Sequence, residues 1–212
     1  MQAQRSSERT KRKKLFPRLI ISVPSIIFWL SVALFDRSMQ TSAALTATAL
    51  HELGHIAVMG ICGMRVTGIT VLPYGLEMTS SRPPCSFRED IAVNAAGCAV
   101  NLISYPLFHA LGTVIHGKSG EFMLMLSFAS FALGILNAFP ITSLDGGSVT
   151  EAMLSLFLSP TAAYRTVRAI SFIFLVILWV LATYIFMLSG YNYSLFAMAI
   201  WLFARVFLSS EI

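Results

Sequence analysis

Apolar positions along this chain run in long blocks with few polar interruptions, at about 19–35, 42–60, 91–115, 122–139, 166–188 and 193–208. Each block is near the roughly 20 residues that a helix needs to cross a bilayer. The pattern predicts an all-α polytopic membrane protein with about six transmembrane helices. A basic segment precedes the first block, as in a signal peptide, but Leu19 to Phe35 spans 17 residues. A signal h-region has roughly 7 to 15 and ends at a cleavage site, so an uncleaved anchor is expected.

The blocks differ in kind. Residues 42–60 and the start of the 91–115 block are rich in Ala, Gly, Ser, Thr and Asn. Small residues let helix backbones approach closely and polar ones seek partners inside a bundle, so spans two to four are expected to form a core. The Phe-, Leu-, Ile- and Trp-rich blocks at 19–35, 166–188 and 193–208 are expected outside it. Between spans two and three, Val66-Thr67-Gly68-Ile69-Thr70-Val71-Leu72 is β-branched, and Pro73-Tyr74-Gly75 supplies a turn. A small membrane-associated β-hairpin is expected there, covering the core, because irregular backbone at membrane depth must face protein or a wet cavity. Residues 1–18 read as a basic cytoplasmic tail and 19–212 as a single membrane-embedded domain, with a core at about 42–150.

Composition agrees: 56% of the 212 residues are hydrophobic and 12% charged, against roughly 45 to 50% and about 25% in soluble domains. Seven of the fifteen Lys and Arg residues fall in the first eighteen positions, running directly into Leu19-Ile20-Ile21. A nucleic-acid partner would need basic residues spread over a folded face, so none is expected. With the tail in the cytoplasm, thirteen Lys and Arg lie inside and two, Arg37 and Lys118, outside. The positive-inside rule then puts both termini in the cytoplasm. The tail could also meet anionic lipid. Three cysteines, Cys62, Cys85 and Cys98, form no C-x-x-C and no even set, so free thiols are expected.

The chemistry starts at His51-Glu52-Leu53-Gly54-His55. Two histidines four apart on a helix converge on one metal, and the glutamate between them can address a water at that metal. The alternative is a pair of hydrogen-bonded core histidines with Glu52 as counter-ion. Three ionisable side chains within five residues of a membrane helix are expensive and usually functional. A catalytic zinc takes three protein ligands, and Asp145 is the candidate third. It follows Pro140, which should end span four, and precedes Gly146-Gly147, which should let the backbone bend the carboxylate inward. Spans two and four run in the same direction, so both half-sites reach a similar depth. Alone, Asp145 would read as a turn residue. Cys62, His109 and His116 are placed too far along their helices or across the membrane. Asn94 and Asn101 share a face with Gly97 between them, an arrangement for amide hydrogen bonds across helices or for packing.

These residues resemble the site-2 protease family of intramembrane zinc metalloproteases, and most of all its compact sporulation branch. The match runs through H-E-L-G-H at 51–55, L-P-Y-G at 72–75, A-G-x-x-x-N at 96–101 and N-x-x-P-x-x-x-L-D-G-G at 137–147. Cys98 and Ser143 stand where many relatives have Pro. The resemblance implies one zinc per chain held by His51, His55 and Asp145, Glu52 as the catalytic glutamate, and Asn137 as a substrate-binding residue. It implies a multi-pass protein of the bacterial cytoplasmic membrane. Its substrate would be a membrane or membrane-associated protein, such as a transcription-factor precursor or an anti-sigma factor, with membrane partners supplying regulation. A helical substrate must unwind before cleavage, and the 66–72 strand would offer it an edge. Two further readings stand beside this one: a metal transporter using the same four residues, and a noncatalytic relative that binds membrane partners.

Overall fold

The computed structural model describes residues 18–23, 25–27, 30, 38–72, 75–189 and 194–208. They divide into two units, residues up to 36 with 63–83 and residues 37–62 with 84–212.

The first unit holds a three-stranded sheet in the order β1 (Arg18–Ile21), β2 (Val66–Leu72), β3 (Gly75–Ser80). The expected hairpin is β2 and β3, antiparallel, with a register shift between Val66 and Gly68. β1 adds in parallel, pairing Arg18 with Gly68 through Ile21 with Val71, and the Ser25 hydroxyl donates to the Val71 carbonyl at 2.7 Å. Two expectations change here. The first residues of the 19–35 block are a strand, and 31–35 lies outside the described residues. A short Leu-Ile-Ile run is as compatible with a strand as with the start of a helix, and the pairing partner decides. β2 is also the middle strand, paired on both sides at 68–71, so among the described residues the sheet edges are β1 and β3 and not 66–72.

The second unit is helical: α1 (Met39–Ile61), α2 (Phe87–Val114), α3 (Lys118–Ala138), α4 (Asp145–Leu154), α5 (Pro160–Ser189) and α6 (Ser194–Leu208). Local sequence sets the starts. Ser38 Oγ accepts from Thr41 N at 3.2 Å to cap α1, and Ser86 Oγ accepts from Glu89 N at 3.2 Å to cap α2. The Glu89 carboxylate accepts from Cys85 N in return, a capping box moved back by one residue. Pro140 follows the C-cap Phe139 and closes α3 where the sequence predicts. Helices α1, α2, α3 and α5 are long and apolar enough to cross a membrane, with mean hydropathy from 1.2 for α1 to 2.6 for α5. At 15 residues, α6 is about 22 Å long, short of the roughly 30 Å hydrocarbon thickness. Four helices long and apolar enough to span are therefore found among the described residues, where six spans are expected.

The helices pack through two clusters. Ala43 and Ala47 of α1 pack with Leu126 of α3 and with Phe108, Phe122 and Met125. Gly54 sets the α1–α2 crossing, since a Cβ there would stand 2.8 Å from the Ala96 carbonyl oxygen and 2.9 Å from Val100 Cγ2. A second cluster joins Leu175 of α5 to Leu202 and Val206 of α6 and to Ile141 and Leu144, just before α4. Large apolar side chains of α5, among them Phe172, Ile173, Val176, Ile177 and Val180, remain exposed, as a lipid-facing surface requires.

Gly54→Val is expected to cost about 1–3 kcal/mol by overpacking the α1–α2 crossing. It should lower the thermal midpoint in detergent. Gly60→Ala, at a position with nothing within 4 Å, should leave that midpoint unchanged or raise it.

Candidate metal centre

Residues four apart lie on one helical face, and α1 turns His51 and His55 toward a common point. Their ring centroids are 4.8 Å apart at 79°, and their Nε2 atoms 3.2 Å. Asp145, the first residue of α4, brings Oδ2 to 2.9 Å from His51 Nε2 and 3.2 Å from His55 Nε2. Both histidines are buried and Asp145 is half-buried. Burial pushes the Asp145 carboxyl up, but the hydrogen bonds and charge of His51 and His55 outweigh it and hold the group down at about 2. It is ionised at neutral pH, as a metal ligand must be, and the α4 N-terminus favours the same state.

The surrounding bonds test whether a metal fits. His55 Nδ1 lies 2.7 Å from the Val93 carbonyl oxygen on α2, so the ring donates its Nδ1–H there and a neutral imidazole carries its lone pair on Nε2. That lone pair meets a carboxylate oxygen at 3.2 Å, an arrangement that needs a proton or a metal cation between the two atoms. The separations of 2.9–3.2 Å are near the spacing of ligand atoms around a small tetrahedral ion, about 3.3 Å for bonds of about 2.0–2.1 Å. Two imidazoles and one carboxylate are a zinc-type donor set with a position left for water. His51, His55 and Asp145 thus form a group able to hold a zinc ion.

Helix α2 supplies the wall of this site. A Cβ on Gly97 would stand 2.7 Å from Cε1 and Nε2 of His51 and would overlap His55 Nε2, so only glycine lets α2 pass this close to both Nε2 atoms. One turn on, Asn101 is fully buried with Nδ2 at 3.2 Å from His51 Nδ1. The Cys98 thiol donates to Asp145 Oδ2 at 3.8 Å. Val93, Gly97, Cys98 and Asn101 were not among the expected site residues. For Gly97 and Asn101 the signal was the four-residue spacing of A-G-x-x-x-N, which sequence alone cannot tell from ordinary helix packing; Val93 and Cys98 carried none.

The other positions fall as follows. Glu52 is half-buried on α1 between the two histidines. Asn137 lies in the last turn of α3, where its Nδ2 donates to the Leu133 carbonyl at 3.1 Å; it is not in the converging group. Asn94 bonds within its own helix, to Asp90, so only Asn101 reaches across helices. Cys62 caps α1, and His109 packs against Tyr105 and Phe128. Asp145 begins a ten-residue helix where a loop was expected. The glycines after it act by close approach and not by bending: a Cβ on Gly146 would overlap the Ala138 carbonyl, and one on Gly147 the Ile141 carbonyl. The turn is held further by Thr142 N, which donates to buried Ser171 Oγ on α5 at 2.9 Å. A polar cleft of about 390 Å³ is lined by Phe87, Asp90, Asn94, Ser148, Glu151 and Pro160.

Comparison with known proteins bears on this arrangement. Residues 103–181 match the model of peptidase family M50. The chain is 27% identical over 149 residues to Rip3 of Mycobacterium tuberculosis, a candidate zinc metalloprotease, covering 66% of this chain and 36% of that protein. It is 29% identical over 153 residues to stage IV sporulation protein FB of Bacillus subtilis, covering 65% of this chain and 48% of that protein. The chain thus spans between about a third and a half of the length of these relatives. Its fold is similar to that of the site-2 protease from Methanocaldococcus jannaschii, with a TM-score of 0.68 at 20% identity over 92% of this chain and 91% of that one.

Gly97→Ala is expected to push both imidazoles off their common point while leaving the helices formed. Zinc titration of the folded variant should show at least tenfold weaker binding than wild type, the scale on which supporting groups act at metal sites.

Proposed function

We propose that this chain, a member of the site-2 protease family, is a membrane-embedded zinc metalloendopeptidase. It would hydrolyse a peptide bond in or near a transmembrane or membrane-associated segment of a substrate protein. The observation that carries this reading is the convergence of His51, His55 and Asp145, three mutually close acceptor atoms, beside the glutamate of H-E-x-x-H. His51, His55 and Asp145 would hold one zinc per chain. Zinc, when bound, lowers the pKa of a water toward about 7 and polarises a carbonyl.

This chain's own residues do the rest. Glu52 takes the proton from the attacking water and returns it to the leaving amine, the two-way transfer that one carboxylate of suitable pKa performs. The Nδ1–H of His55, held by the Val93 carbonyl, keeps Nε2 free for the metal. The Asn137 amide binds the substrate backbone near the scissile bond, exchanging its bond to Leu133 for one to the substrate. Substrates of this kind include membrane-tethered transcription-factor precursors and anti-sigma factors. Selection among them, in a bacterial cytoplasmic membrane, would come from regulatory membrane partners. The basic residues before position 19 would meet anionic lipid at the cytoplasmic face, and both termini would lie on that side.

Zinc per chain in detergent-purified, folded protein tests the assignment. Wild type and Glu52→Gln should each hold about one zinc and Asp145→Ala little, because Glu52 is assigned as base and not as ligand. Cleavage of a membrane-tethered substrate should fall by about 10²–10⁴ or more in Glu52→Gln, the range for losing a general acid–base group. Loss of zinc in folded Glu52→Gln would favour a transport or storage site instead.

A further inference from the structure

Asn101 has no assigned role in the reading above, yet it is fully buried, and its amide sits 3.2 Å from the one ring nitrogen of His51 that faces away from Asp145. With Nδ2 toward His51, two groups go unserved. Nδ1 would have to accept, which puts the ring proton on Nε2 and removes the lone pair that points at the site. Asn101 Oδ1 would stay buried with no partner among the described residues, an arrangement that costs the full desolvation of that oxygen. An amide is nearly symmetric in shape, so turning it by 180° about its last bond exchanges donor and acceptor and moves little else. Oδ1 then accepts the Nδ1–H of His51. Nδ2 is left to seek a carbonyl four residues back on its own helix, the kind of partner that both Asn94 and Asn137 use.

We propose that Asn101 is a positioning residue of the metal site: its amide oxygen accepts the Nδ1–H of His51 and so fixes the tautomer and ring plane that present Nε2 to the ion. The inference rests on the zinc-site reading above. It gives the two histidines parallel support from one helix, a backbone carbonyl at Val93 for His55 and a side-chain carbonyl at Asn101 for His51. The A-G-x-x-x-N spacing follows, with Gly97 making room for the rings and Asn101, one turn later, holding one of them.

The test compares zinc affinity, by chelator competition, in folded wild type, Asn101→Asp and Asn101→Leu. All three side chains are similar in size; Asp keeps an acceptor and has no donor, and Leu has neither. The expected result is Asp within about threefold of wild type and Leu weaker by about 10–100-fold, the loss typical of removing a supporting bond to a metal-bound histidine. Equal affinity in Leu and wild type, or equal loss in Asp and Leu, overturns the proposal. Wild type that binds no zinc overturns the underlying site assignment instead. Should the variants not fold, ¹⁵N-histidine NMR of zinc-loaded wild type decides. A His51 Nδ1–H that is shifted downfield and slow to exchange is expected, and one that exchanges freely with water overturns the assignment.

Discussion

Three potential ligand atoms, His51 Nε2, His55 Nε2 and Asp145 Oδ2, lie within 2.9–3.2 Å of one another inside a helical bundle. In a low-dielectric interior such a meeting is strongly unfavourable unless a proton or a metal cation sits among them. This requirement accounts for much of the surrounding structure. The groups must be held from behind, by hydrogen bonds that leave the inward lone pairs free, and the backbones must come close enough to do so. Helix α2 meets both conditions at once, through the Val93 carbonyl, the Asn101 amide and the missing side chain at Gly97.

The same economy of volume runs through the rest of the inner helices. Gly54 lets α1 cross α2 in backbone contact, and Ala43 and Ala47 are almost wholly covered by α3 and its neighbours. Between helices in a membrane there is little hydrophobic gain, so close packing and polar contacts supply the adhesion. Asp145 is fixed differently, from the side of α5 and α6. Ile141 and Leu144 are buried with Leu175, Leu202 and Val206, and Ser171 takes the Thr142 N–H. The ligand set therefore unites a histidine pair on one rigid helix with a carboxylate whose turn is anchored to another part of the bundle.

The family match covers residues 103–181, which contain Asp145 and Asn137 but neither histidine. The first half of the site is legible instead from H-E-L-G-H and from the geometry of α1 and α2. The fold likeness to a site-2 protease extends over 92% of the chain at only 20% identity. That combination is understandable if most positions need only be apolar or small, while a few need a particular side chain.

Periodicity and block length were enough to find α1, α2, α3 and α5, because a run of about 20 apolar residues has few other stable fates. The histidine pair was legible for a similar reason, since both ligands sit on one regular helix. The carboxylate could be nominated from its Pro and Gly neighbours, but its placement at the start of a ten-residue helix could not. Asp-Gly-Gly-Ser is a poor helix former, and packing of the two glycines against the Ala138 and Ile141 carbonyls overrides that preference. The strand at Arg18–Ile21 was hidden because an apolar run of a few residues becomes strand or helix according to its partner, here β2. What α2 contributes was also beyond reach. Asn101 and Asn94 look equivalent in the chain, seven apart on one face, yet one meets His51 and the other bonds to Asp90. Residues that share a helix announce themselves by spacing; contacts between helices depend on depth and crossing angle, and those exist only once the bundle has packed.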